Sequence, residues 1–247
     1  MRPDRLVFTD TTGRTLTTRD LQGATGKVPW ATIGSESVPA EAMQLHQKAR
    51  IAGTRGDPRR ALELLERARA LAPRWPYPVY DAAYTYLLQG DAGTAEGLYA
   101  EVDRLAPRGF LACQTLLYGL RRERTGELPA GFCRTFATLE WLDDLPKKKA
   151  ILEGIVENYP EFAPAWKELA VLLDDADARW QAVAKGLDAS PDGETRGMLL
   201  IYKALMLLWR GERQEAIRIL GVLALSPAST LATEALAKAT LARVIEP

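Results

Sequence analysis

The chain has little of what metal or acid–base chemistry uses. Among its 247 residues there is one histidine, His46, and there are two cysteines, Cys113 and Cys133. One histidine excludes a metal cage or a catalytic relay built on several. The spacing of the cysteines matches neither a disulfide framework nor a zinc motif, so buried thiols in a reducing compartment are expected. An excess of charge is missing too. Lys and Arg (32) balance Asp and Glu (32), which excludes the broad basic surface of a non-specific nucleic-acid binder. The longest apolar run, Met198 to Trp209, is broken by Lys203 and falls well short of the ~20 residues that a membrane-spanning helix needs. No apolar stretch of signal-peptide length follows the charged start Met1-Arg2-Pro3-Asp4-Arg5. A cytoplasmic protein with no membrane contact is therefore expected, and the Ala-, Leu- and Arg-rich composition points to a bacterial source.

The chain does have a repeat. Gly56-Asp57 recurs as Gly90-Asp91, Ala61 as Ala95 and Pro73 as Pro107, always at the same offset of ~34 residues. Between these anchors lie two apolar patterns of helical period. Met43, Leu45, Ala49 and Ala52 form one stripe; Ala61, Leu62, Leu64, Leu65, Ala68 and Leu71 form the next. Gly56 suits a helix end, Asp57 can cap the next helix, and Pro58 fits its first turn, where a missing N–H costs nothing. A hairpin of this size cannot bury its own apolar face, so stacking on the next one must complete the core.

The second unit reads Val79-x2-Ala82-Ala83-x2-Tyr86, then Ala95-x3-Tyr99, then Pro107. A later one begins Trp166-x2-Leu169-Ala170-x2-Leu173. Another reads Leu200-x2-Lys203-Ala204-x2-Leu207 with Gly211, Ala216-x3-Leu220 and Pro227. The first reads Leu45-x2-Lys48-Ala49-x2-Ala52, Ala61-x3-Leu65, Pro73. In period and anchor positions this resembles the tetratricopeptide repeat (TPR) family over residues ~40–247, although no unit matches every position. The resemblance implies an all-α, TPR-like solenoid of helical hairpins that binds proteins.

First helices are expected to begin near 42, 76, 110, 163 and 197, so the step from 110 to 163 is longer than the regular period. The surplus is about the length of one helix and a turn. Three helices, ~110–124, ~129–143 and ~146–159, are expected there, with Leu128-Pro129 and Leu145-Pro146 at the breaks. The chain is read as 1–38, an extended segment with a β-hairpin; 39–125, a first TPR-like block; 126–160, an irregular helical middle; and 161–247, a second block with a C-terminal capping helix. In the N-terminal segment Leu6-Val7-Phe8-Thr9 and Arg14-Thr15-Leu16-Thr17 are the hairpin strands, and Lys27 to Ile33 is a third extended piece. Gly23-Ala24-Thr25-Gly26-Lys27 imitates a phosphate loop, but Leu21 replaces its first glycine and Val28 its hydroxyl residue, so a simple turn is expected.

No cofactor or metal is implied. Asp174-Asp175-Asp177 lacks the glycine and final glutamate of a calcium loop and reads as a helix cap. In TPR stacks the first helices line the inner face, and the matching positions here are Met43, His46 and Arg50, then Tyr77, Tyr80 and Tyr84, then Gln114, Tyr118 and Arg121, with Arg122 adjacent. Tyrosines at i, i+3 and i+7 make one stripe, and tyrosine beside arginine is typical of recognition surfaces. The alternative is that the tyrosines only pack between helices. The carboxylate clamp of chaperone-binding TPRs is missing, since its places hold His46, Arg50 and Asp81. The leading expectation is a protein-interaction scaffold that binds an apolar, acidic peptide or protein partner in this groove. An inhibitor or immunity-type protein sequestering one enzyme or toxin is the second. An enzyme is the third, with no constellation to carry it.

Overall fold

The structure is a computed structural model, and it describes residues 5–8, 14, 30–33 and 38–245. The described residues form twelve α-helices, one short 3-10 turn and two short strands. The chain divides into two compact units, Glu36–Lys148 and, from both ends of the chain, Met1–Ser35 with Lys149–Pro247.

The 36–148 unit holds α1 (Ala40–Thr54), α2 (Pro58–Leu71), α3 (Pro76–Gln89), α4 (Ala92–Leu105), α5 (Cys113–Arg124) and α6 (Phe132–Thr138), which runs into the 3-10 turn Leu139–Trp141. The recurring Gly-Asp pair is a stop followed by a start. Gly56 and Gly90 take left-handed φ values of 78° and 88°, which a side chain would oppose. Asp57 and Asp91 then accept the Arg60 and Thr94 backbone N–H groups at 3.0 Å, supplying acceptors to the exposed first turns of α2 and α4. Alanines 42, 49, 61 and 68 are buried to 2% exposure or less. Their small side chains let α1 and α2 approach closely, and Leu45, Leu64 and Leu65 fill the seam. Neighbouring first helices α1 and α3 also touch, as in stacked hairpins.

The other unit holds most of α7 (Leu145–Asn158), then α8 (Ala163–Leu172), α9 (Ala176–Asp188), α10 (Gly193–Trp209), α11 (Arg213–Leu225) and α12 (Leu231–Ile245). Ile201, Ala204 and Leu207 of α10 form its core with Ala216, Ile219, Leu220 and Leu223 of α11 and Ala237 of α12. Two glycines allow close approach. A Cβ on Gly186 would lie 2.9 Å from Leu199 and 3.0 Å from Trp166, and one on Gly197 would lie 2.1 Å from the Thr233 hydroxyl. Asp175 is the N-cap of α9, accepting from the Ala178 N–H at 2.7 Å, and Asp177 pairs with Arg210 at 3.2 Å. Two residues of the acidic cluster, Asp175 and Asp177, are thus taken up in capping and ion pairing.

Residues 110–160 contain three α-helices, α5, α6 and α7. Two of these differ in extent from the sequence expectation. Gly109 and Leu111 have φ of 86° and 51°, so regular helix starts only at Cys113. The middle helix shrinks to Phe132–Thr138 because Gly131, at φ 82°, turns the chain just before it.

The N-terminal segment differs more. Strand β1 (Arg5–Phe8) pairs antiparallel with β2 (Trp30–Ile33), Leu6 opposite Thr32. The hairpin expected between Leu6–Thr9 and Arg14–Thr17 is therefore not supported, and Thr9 and Thr15–Thr17 lie outside the described residues. A β-prone segment can pair with any other, and local pattern alone does not select the partner. The backbone of β1 runs beside α12, the last helix of the same unit. Gly23–Lys27 also lies outside the described residues. No helix of the described residues is long and apolar enough to cross a membrane.

Candidate functional site

The first helices of the 36–148 unit carry the residues singled out from sequence. His46 on α1 is 8% exposed, and its Nε2 lies 2.8 Å from an Asp81 carboxylate oxygen on α3. It was expected at a groove or surface position; it is instead a buried link between neighbouring first helices. The reason is aromatic packing. The His46 ring sits edge-on to Trp75 and Tyr77 at centroid distances of 5.0 and 5.8 Å, and Tyr77 meets Phe110 at 4.7 Å. The His46–Asp81 pair also occupies two of the three positions that a carboxylate clamp would use.

Tyr80 departs further from the groove reading. It is 8% exposed, with its ring 5.5 Å from Tyr99 and 5.7 Å from Phe110, both edge-on. It therefore packs between helices and forms no part of an accessible surface. The i, i+3, i+7 stripe breaks because the helix face it covers is wider than the strip left open by the neighbouring hairpins.

Tyr77 and Tyr84 are half-buried. Burial raises the Tyr77 phenol above its usual range, Asp81 raises it further, and Arg50 opposes both, so these three polar groups share one neighbourhood. Burial also raises Tyr84, while the hydrogen bond from Trp141 lowers it and Glu140 raises it. On α5, the Arg122 guanidinium lies 4.7 Å above the Tyr118 ring and pairs with Glu127 at 3.3 Å. Gln114 donates to Asp103 of α4 at 3.2 Å, a contact with the second helix of the preceding hairpin. Arg50 and Arg121 are exposed.

Trp141 escaped the sequence reading. Its indole N–H donates to the Tyr84 hydroxyl, yet 67% of the residue is exposed. Glu123 holds the segment in place. Its carboxylate accepts the N–H groups of Gly131 and Cys133 at 2.7 and 3.0 Å, capping α6. The Arg134 guanidinium lies over Gly90 at the C-terminal end of α3, where the helix dipole favours a cation. Through these contacts α6 and the 3-10 turn lie along α3. Trp141 falls in the stretch where the repeat register lapses, so no repeat position flagged it. Trp75, just ahead of Pro76, precedes the helical stripe and was missed for that reason. Cys113 and Cys133 are both buried thiols, and Cys113 donates to the Tyr99 carbonyl at 3.2 Å. Burial pushes the Cys133 thiol far up, and the neighbouring Glu123 carboxylate adds to the effect.

These observations describe a helical-hairpin repeat protein of TPR-like build, with an aromatic seam between its first helices and an exposed tryptophan pinned beside it. No protein-family model matches the chain. No curated protein matches it either. Among solved structures, it is similar to the 41-end portion of MamA from Desulfovibrio magneticus RS-1 at 17% identity, covering 74% of this chain and 93% of that one, with a TM-score of 0.37. A thermophilic TPR protein of Thermus thermophilus is similar at 19% identity over 81% of this chain and 99% of that one, with a TM-score of 0.34. A tetratricopeptide repeat protein from Parabacteroides merdae is similar at 12% identity over 81% and 71%, with a TM-score of 0.34. Likenesses this loose assign the chain nothing of what those proteins do.

Proposed function

We propose that the 36–148 unit is a protein-interaction module whose first-helix face receives an extended, acidic and apolar peptide segment of a partner. The observation that supports this best is Trp141: a mostly exposed indole held by a hydrogen bond to Tyr84. An exposed indole with a fixed orientation offers apolar contact at little entropic cost, which is how recognition hot spots are built. Arg50 and Arg121 stay exposed on α1 and α5, and neither makes an ion pair among the described residues, so both are open to a carboxylate. Arg122, stacked on Tyr118, adds a cation already stripped of part of its water. The accessible set is Arg50, Tyr77, Tyr84, Tyr118, Arg121, Arg122 and Trp141; His46, Tyr80 and Gln114 support it from behind. Residues 39–125, with the part of the helical middle that lies before 149, would form the binding part, and 161–247 a second block. Buried thiols suit a reducing cytoplasm.

An array of acidic–apolar peptides tests the reading, with fluorescence anisotropy on the peptides retained. Reversing charge by Arg50→Glu with Arg121→Glu should weaken binding at least tenfold, and Trp141→Ala by a similar factor, with the thermal midpoint unchanged. Binding should also weaken as salt rises. Peptide affinity that survives all three substitutions would remove the site from this face.

A further inference from the structure

The peptide chemistry that suits the face carrying Arg50 and Arg121 is present in the same unit. Residues 140–145 read Glu140-Trp141-Leu142-Asp143-Asp144-Leu145, three carboxylates and three apolar side chains with no cation. Part of this segment is extended. The chain leaves the 3-10 turn at Leu142 with φ −87° and ψ 106°, and helix resumes only at Leu145. Trp141 is 67% exposed and Leu145 57%. Glu140, Asp143 and Asp144 are exposed as well. Glu140 and Asp143 make no ion pair among the described residues, and Asp144 accepts the Lys147 backbone N–H at 3.0 Å as a cap of α7. Face and segment belong to one unit, which is described without a break from residue 38 to 148.

We infer that the partner at this face is a second copy of the chain, each copy laying its 140–145 segment against the arginines of the other. This rests on the acidic-peptide reading above and names the partner. A two-fold dimer needs a self-complementary patch, in which one residue meets another on the second copy and the reverse holds too. Trp141 lies in both halves of such a patch: it is pinned to Tyr84 of the face, and it opens the segment. A two-fold axis beside Trp141 brings Glu140 and Asp143 of each copy to Arg50 and Arg121 of the other. One copy does not make this pairing by itself. Trp141 is held at one end and Leu145 begins a helix at the other. The three residues between reach at most ~11 Å, too short to lie along their own first helices. Both sets of charge therefore stay open in the single copy. Across the axis each carboxylate gains a guanidinium partner, and Trp141 and Leu145 leave water. Charge sets the orientation and the salt dependence, and the apolar side chains supply the greater part of the driving force. Two short segments bury a small area, so the dimer is weak and reversible.

Sedimentation velocity on the full chain, from about 1 µM to a few hundred micromolar, reads the dimer directly. At low salt the sedimentation coefficient should climb with concentration towards that of a dimer, and high salt should weaken the dimer severalfold. The face variant Arg50→Glu with Arg121→Glu should weaken it at least tenfold, and so should the segment variant Glu140→Lys with Asp143→Lys. Asp144 is left in place because it caps α7. All four substitutions in one chain restore opposite charges across the axis and should recover most of the parent's dimerisation. The four side chains are exposed, and superimposable circular dichroism confirms the fold of each variant. The labelled peptide acetyl-Glu-Trp-Leu-Asp-Asp-Leu-amide should bind the segment variant, whose face is free, and should not bind the fourfold one. A chain that is monomeric at every concentration, a dimer indifferent to both charge reversals, or no recovery in the fourfold variant would overturn the inference. The acidic–apolar peptide array separates this failure from that of the underlying reading. A monomeric chain whose face still takes other acidic peptides loses the second copy and keeps the interaction module. A segment variant that takes no acidic peptide loses both.

Discussion

Tyr80 and Tyr84 stand one helical turn apart on α3 and do different work. Tyr80 is enclosed by Tyr99 and Phe110, while Tyr84 turns its hydroxyl to Trp141. The difference follows from what each position meets: Tyr80 faces α4 and the approach to α5, and Tyr84 faces the added 3-10 turn. Tyr80→Ala is therefore expected to cost about 3–5 kcal/mol in urea denaturation, the usual range for emptying an aromatic site in a core. Tyr80→Phe keeps the packing and should lose much less. A Tyr80→Ala protein as stable as the parent would return this residue to the groove. His46 follows the same logic. Sequence placed it on the inner face with Met43 and Arg50, but helix periodicity says nothing about a neighbouring hairpin that brings Asp81, Trp75 and Tyr77 to that side.

Elements with local signals were legible, and those set by distant contacts were not. The Gly-Asp turns at 56–57 and 90–91 were readable because capping involves groups three positions apart. The surplus helix was readable from the length of the irregular step, since a stretch of that length with two prolines has room for another helix. Its short extent was not. Gly131 sets its start, and Glu123, on the preceding helix, supplies acceptors to two of its first N–H groups. Glu123→Ala should leave those donors without their acceptor, costing about 1–2 kcal/mol locally. Hydrogen exchange should then quicken at residues 131–141 and stay unchanged in α1 and α2. Because the same segment carries Trp141, its intrinsic fluorescence should shift as well. Unaltered exchange at 131–141 would mean that the segment is held by Arg134 and Trp141 alone.

At the scale of the molecule, the described chain is two compact units with a boundary inside α7, and the second unit draws on both ends of the sequence. Strand β1 lies beside α12 although the two stand near opposite ends of the chain. Removing residues 1–35 should therefore speed amide exchange in α12 and leave α1 as it was. Faster exchange confined to α1 would put the N-terminal segment on the first hairpin instead.

Helical periodicity, the repeat register, the cap residues and the place where the register lapses are all properties of neighbours along the chain. They were enough to identify stacked hairpins, the turns between them and the surplus helix. Which side chains lie open could not come from that source. Exposure depends on what the next hairpin covers, and the same pattern of tyrosines gives a buried Tyr80 and half-open Tyr77 and Tyr84. The pairing of β1 with β2, the His46–Asp81 link and the pinned Trp141 were likewise decided by tertiary packing, because each joins groups that the chain brings together only once it has folded.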